Sequence, residues 1–180
     1  YFRADNSADA IEGLQMLASA QIRNGEIDAA IATSREAAAK AANVPELDPS
    51  ELMYLRAYPA MALTVAGRYA EGAPELDAVL QDWRASGLAQ GTVYARIANN
   101  LAVAKFSLGD PVGAERVLTE ITTIQQKVNP VRGENAIALR NLAMVRIQLG
   151  IYDGAALALL DAQKLDEATF PEKSLGRATA

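Results

Sequence analysis

The sequence predicts an all-α repeat protein of four helical hairpins and the opening of a fifth, and three observations carry that prediction. First, Gly25, Gly67, Gly109 and Gly150 recur at intervals of 42, 42 and 41 residues, a period that belongs to stacked repeats rather than to one globular core. Second, two columns in register with these glycines are small in every copy: Ala18, Ala60, Ala102 and Ala143 before them, and Ala30, Gly72, Ala114 and Ala155 after them. Third, the adjoining columns Leu17, Pro59, Leu101 and Leu142, and Ser34, Leu76, Leu118 and Leu159, are mostly apolar packing positions. Large apolar residues at helical spacing beside uniformly small ones describe two helices whose backbones cross closely.

The first pair is expected over residues 7 to 24 and 27 to 42, joined at Gly25, a residue suited to the left-handed conformation that closes a helix. The second is expected over 50 to 66 and 70 to 86. It opens at Leu47-Asp48-Pro49-Ser50-Glu51, an N-cap residue followed by proline at the first helical position, where its missing N–H costs nothing. The third covers 91 to 108 and 111 to 128, with Asp110-Pro111 repeating that start signal, and the fourth covers 133 to 149 and 152 to 168. Asn129-Pro130 and Phe170-Pro171 punctuate the ends of the last two pairs. Residues 172 to 180 read as the start of a truncated further helix, because the next closing glycine, 41 residues beyond Gly150, would fall at 191. Residues 1–180 are thus expected to form a single repeat domain, with repeats over 7–42, 50–86, 91–128 and 133–168. Pro59 should kink its helix near Ala57. Pro74 is awkward if its helix begins at Tyr69 and better tolerated if it begins at Gly72 or Ala73. Trp83, beside Val79 and Leu80, reads as a packing residue between repeats.

Composition removes most chemistry. The chain has 180 residues, 51% of them hydrophobic and 22% charged, enough for a substantial core. Cysteine and histidine are both absent, which excludes thiolate and imidazole nucleophiles, zinc sites with those ligands, and disulfides. No metal or cofactor is expected. A net charge of -5 argues against duplex nucleic acid, whose affinity rests on clustered Lys and Arg. No apolar run approaches the roughly 18 residues of a membrane span; the nearest, Tyr58 to Gly67, is short and contains Pro59. The sequence begins Tyr1-Phe2-Arg3 without an initiator Met or a leader, as a processed or excised piece would. The expected compartment is the cytoplasm, with the periplasm as the alternative.

The turns Gly67-Arg68-Tyr69 and Gly150-Ile151-Tyr152, the variants Gly25-Glu26-Ile27 and Gly109-Asp110-Pro111, and the two small columns together resemble the tetratricopeptide repeat (TPR) family over residues 7 to 168. Within it the nearest likeness is the long repeat of kinesin light chain and of many bacterial regulatory proteins, whose first helices often carry an Asn-Leu-Ala step. Here that step is Asn100-Leu101-Ala102 and Asn141-Leu142-Ala143. Pro59 departs from the usual Leu, and the first repeat lacks the turn aromatic. The resemblance implies a right-handed α-α superhelix whose first helices line a concave wall. It also implies a non-enzymatic protein-interaction scaffold that binds a peptide or partner segment there. The alternative is a sensory or regulatory TPR domain of a larger bacterial transcription regulator or kinase.

On that wall the outward positions are Glu12, Gln15 and Met16; Tyr54, Ala57 and Tyr58; Arg96, Asn99 and Asn100; and Ile137, Arg140 and Asn141. The candidate site is Arg96, Asn99, Asn100, Arg140 and Asn141, with Tyr54 and Tyr58 as an aromatic shelf. Asparagine can both donate to and accept from an extended peptide backbone, and arginine adds a planar fork for carboxylates. The set resembles the basic, asparagine-lined grooves in which related repeats hold acidic or C-terminal segments, although the lysines of a carboxylate clamp have no counterparts. A merely solvated face of amphipathic helices is the competing explanation. Carboxylates such as Asp5, Asp9, Glu115 and Glu120 lack a convergent partner in the sequence and read as surface groups, so no catalytic constellation is expected. Self-association through the end faces of the array is expected to be possible, since neither end has an obvious polar capping helix.

Overall fold

The computed structural model describes residues 8–44, 47–87, 91–128 and 133–169. Among them the chain forms α1 (Ala8–Arg23), α2 (Ile27–Ala41), α3 (Pro49–Val65), α4 (Tyr69–Ala85), α5 (Gly91–Ser107), α6 (Pro111–Val128), α7 (Gly133–Gln148) and α8 (Tyr152–Thr169). They fall into two compact units, Tyr1–Ala89 with α1 to α4 and Gln90–Ala180 with α5 to α8. In the first unit each helix packs on the next in chain order, and so it does in the second, where α5 also touches α7. Asp5, Asn129-Pro130, Phe170-Pro171 and the expected helix over 172 to 180 lie outside the described residues.

The hairpin turns are made alike, and the glycines explain why. Gly25, Gly67, Gly109 and Gly150 have φ of 79, 74, 82 and 75°, a region strained for any side chain. At each turn the N–H after the glycine reaches the carbonyl five residues back, Glu26 to Gln21 at 2.8 Å, Arg68 to Leu63 at 2.9 Å, Asp110 to Lys105 at 2.9 Å and Ile151 to Arg146 at 2.8 Å. The glycine N–H itself donates to the carbonyl three residues back, completing a Schellman closure that satisfies the last carbonyls of the first helix.

Helix starts follow the cap signals. The Asp48 carboxylate accepts from the N–H groups of Ser50 and Glu51, at 2.8 and 3.3 Å, ahead of Pro49 in the first turn of α3. Asp110 accepts from the Gly113 N–H at 2.8 Å to open α6. Asp110→Ala should lower stability by about 1 kcal/mol, read as a lower urea midpoint at unchanged slope.

The two interior prolines are carried without a break. α3 runs uninterrupted through the buried Pro59, so the expected kink near Ala57 does not divide the helix. What the proline removes is the N–H that would have answered the Leu55 carbonyl. α4 begins at Tyr69 rather than at Gly72 or Ala73, because the Arg68 carbonyl already accepts from the Glu71 and Gly72 N–H groups. Pro74 therefore sits inside the helix, on an exposed face.

Packing bears out the small columns. All seven alanines in them are buried, none more than 2% exposed. A Cβ placed on Gly72 would lie 2.8 Å from the Ala60 carbonyl oxygen, so α4 rests directly on the α3 backbone where the two columns meet. In the adjoining columns Pro59, Ser34 and Leu76 are buried in the first unit and Leu101, Leu118 and Leu142 in the second. At the first and last helices the columns are open, with Leu17 49% and Leu159 46% exposed. Trp83 is fully buried near the end of α4.

The buried rows of α5 recur in α7 at a constant offset of 41: Tyr94 and Asn135, Ala98 and Leu139, Leu101 and Leu142, Ala102 and Ala143, Ala104 and Val145. On the surface of the first unit, Arg35 pairs with Glu75 at 3.0 Å and Arg68 with Asp28 at 2.5 Å, joining α2 to α4 and its approach. Hydrogen bonds from Arg68 also hold the Glu71 carboxyl below its ordinary range. Such exposed pairs add little stability.

Candidate functional site

Between α1 and α3 lies an open cavity of about 460 Å³ lined by Glu12, Gln15, Met16, Ser19 and Arg23 from α1 and by Tyr54 and Tyr58 from α3. The α1 residues fall at steps of three and four, which puts them on one face, and the tyrosines are one turn apart. Their rings meet edge to face with centroids 5.5 Å apart. The Tyr58 hydroxyl and Ser19 Oγ share a hydrogen bond of 2.7 Å that ties the two walls together. Glu12 and Arg23, eleven residues apart on α1 and hence on the order of 16 Å along its axis, pair with no side chain among the described residues. The cavity thus has an acid toward one end, a base toward the other and aromatic rings opposite. Ser19 and Arg23 were outside the outward columns read from the sequence. Their signal was there, as the continuation of the same helical stripe from Glu12 through Gln15 and Met16.

In the second unit the sequence-predicted residues come together in pairs. Asn141 Nδ2 donates to Asn99 Oδ1 at 2.8 Å, a rung between α7 and α5. Asn100 Nδ2 donates to the Arg96 carbonyl at 2.9 Å within α5. Arg140 turns to α8, where Nη1 meets Asp166 Oδ2 at 3.1 Å. Arg96 is exposed on α5. Part of this polar set is therefore engaged within the second unit itself.

The carboxylates read as unpartnered surface groups are not all so. Glu115 accepts from Arg146 Nε and Nη2 at 3.1 and 2.9 Å and from Thr119 Oγ1 at 3.0 Å. The same guanidinium reaches the Gly154 carbonyl at 3.2 Å. This links α6, α7 and α8. Glu120 accepts from the Tyr94 hydroxyl across α6 and α5. Both partners come from another helix, 31 and 26 residues away, and a search within one helix does not find them.

Among the described residues no group of three or more metal-ligating side chains converges, and no helix is long and apolar enough to cross a membrane.

No family model and no curated protein matches the sequence. Solved structures do. BtubC (BKLC) from P. vanneervenii superposes with a TM-score of 0.78 at 23% identity, over 87% of this chain and 62% of that one. The putative kinesin light chain of Podosopora anserina, with nearly identical TPR-like repeats, gives 0.68 at 18% identity over 93% of this chain and 80% of that one. MamA MSR-1 gives 0.58 at 21% identity over 91% and 82%. The chain spans only 62% of the length of the BtubC structure. The glycine-closed helix pairs and the small crossing columns are the local counterparts of this likeness. The chain has the TPR-type helical-hairpin fold.

Proposed function

We propose that the chain is a non-enzymatic protein-interaction module that takes an extended peptide or partner segment along its first-helix wall. The observation that carries this is the α1/α3 cavity, built from outward positions of two successive first helices and fronted by Tyr54 and Tyr58. At about 460 Å³ it has room for more than one side chain of a ligand. Its rings supply contact area at little entropic cost, since tyrosine has few rotamers to lose. Arg96, Asn99, Asn100, Arg140 and Asn141 are the corresponding polar lining of the second unit. There the Asn99–Asn141 rung offers amides that can exchange partners with a peptide backbone. The arginines favour acidic segments. The TPR-type fold supports the reading, because stacked hairpins present extended surfaces suited to binding.

The test begins with peptides selected by random display against the chain. The double substitution Tyr54→Ala and Tyr58→Ala should weaken them by about tenfold or more while leaving helical circular dichroism unchanged, and Arg96→Glu should weaken acidic peptides selectively. Undiminished affinity in the tyrosine variant would sink the assignment.

A further inference from the structure

A second cavity, of about 210 Å³, lies in the second unit among α6, α7 and α8. Thr122, Gln125 and Gln126 line it from α6, Asn135 and Leu139 from α7, and Asp161, Lys164 and Leu165 from α8. Gln125 is 6% exposed, and its Oε1 is buried without a hydrogen-bond partner among the described residues. Burying such an oxygen unpaired is unfavourable.

The repeat itself supplies an internal comparison. Gln125 stands sixteen residues after Gly109, where the first repeat has Ala41 after Gly25. Asn135 stands fifteen before Gly150, where the second repeat has Leu52 before Gly67. Ala41 and Leu52 belong to one apolar cluster with Ile11, Ala37, Leu47 and Leu55. This chain therefore fills the α2/α3 junction with hydrocarbon and places two carboxamides and a void at the corresponding α6/α7 junction.

The chemistry of the void narrows its occupant. The Thr122 hydroxyl already donates to backbone carbonyls of α6. Asp161 and Lys164 neutralise each other at 3.0 Å on the solvent side, so among the described residues the lining carries no unbalanced charge to attract an ion. The unanswered group is a neutral amide. Another primary amide satisfies it in either orientation of the Gln125 head, because each partner carries both a donor and an acceptor. The volume is below the roughly 300 Å³ at which drug-sized pockets begin and suits one side chain. We propose that this cavity receives a primary carboxamide, paired head to head with Gln125, its aliphatic stem against Leu139 and Leu165.

The experiment titrates the full 180-residue chain with butyramide and follows side-chain NH₂ groups by proton–nitrogen correlation NMR. Butyrate and butylamine are the charged controls of similar size. Butyramide should shift the Gln125 NH₂ saturably with a Kd of about 1–10 mM, and neither control should do so. Gln125→Leu, which installs the apolar solution of the first junction, should keep the helical circular dichroism and abolish the response; Gln125→Met is the second variant should leucine disturb folding. The N-acetyl methylamide of glutamine separates the two sources of a carboxamide: tighter binding than butyramide assigns a partner's glutamine side chain, equal binding a free amide, and both uphold the carboxamide. Absence of a saturable shift, as a cavity holding only water would give, overturns the proposal. So does an equal response to butylamine, or one that survives both substitutions of Gln125.

Discussion

Gly72→Ala should destabilise the protein by about 1–3 kcal/mol, although alanine is intrinsically the better helix former by roughly 1 kcal/mol. The reason is the contact at the crossing of α3 and α4. A methyl on Gly72 would lie 2.8 Å from the Ala60 carbonyl oxygen, 3.1 Å from Thr64 Cγ2 and 3.2 Å from Leu63 Cβ. The nearest of these is mid-helix backbone, which cannot rotate away, so the two helices must separate. The control is Gly13→Ala on the exposed face of α1, where an added Cβ meets nothing within 4 Å. That change should raise stability by about 0.5–1 kcal/mol. Urea unfolding of both variants reads the contrast directly. Stabilisation of equal size at both sites would mean that α3 and α4 do not cross at Gly72.

Arg146→Met should cost about 2–3 kcal/mol. Arg146 and Glu115 are only 21% and 25% exposed, and one guanidinium holds groups on α6 and α8 together from its seat on α7. Removing it leaves the Glu115 carboxylate half-buried without its counter-ion. A double-mutant cycle with Glu115→Ala isolates the pair and should return a coupling above about 1 kcal/mol. The same cycle on Arg35 and Glu75, 59% and 44% exposed, should return less than about 0.5 kcal/mol. Equal couplings would show that partial burial gives the Arg146 link no special strength.

What the sequence disclosed was whatever repeats within one hairpin. The closing glycines and the crossing alanines recur because each copy solves the same local problem, so Gly72 and Ala60 were legible as contact positions before any coordinates. Capping by Asp48 and Asp110 was legible for the same reason, since a cap acts over three residues. Leu17 and Leu159 show where that logic ends, because they share columns with the buried Leu101, Leu142, Leu76 and Leu118 while being 49% and 46% exposed themselves: burial depends on what lies against a position, which the column does not record. The Arg146–Glu115 link was hidden because a 31-residue separation matches no period of the repeat. In the candidate site, Tyr54 and Tyr58 were found as an i, i+4 pair, and Ser19 and Arg23 were missed when the wall was reduced to three columns. Asn99, Asn141 and Arg140 were given outward positions by their spacing from the closing glycines, on a wall that the resemblance implied. Spacing does not reveal that two of them bond to each other and the third to Asp166.

The constant offset between the buried rows of α5 and α7 shows how this repeat changes length. The shorter final interval displaces none of the paired core positions from Tyr94 to Ala104, whose counterparts in α7 all stand 41 residues on. A residue lost outside the span from the packed rows to the closing glycine leaves every packed layer in register. A residue lost between the crossing alanine and the closing glycine would rotate the layers by about 100° and face them to solvent. Natural length variation in this chain's relatives should therefore fall outside the span from packed rows to closing glycine, leaving the spacing from small column to glycine fixed.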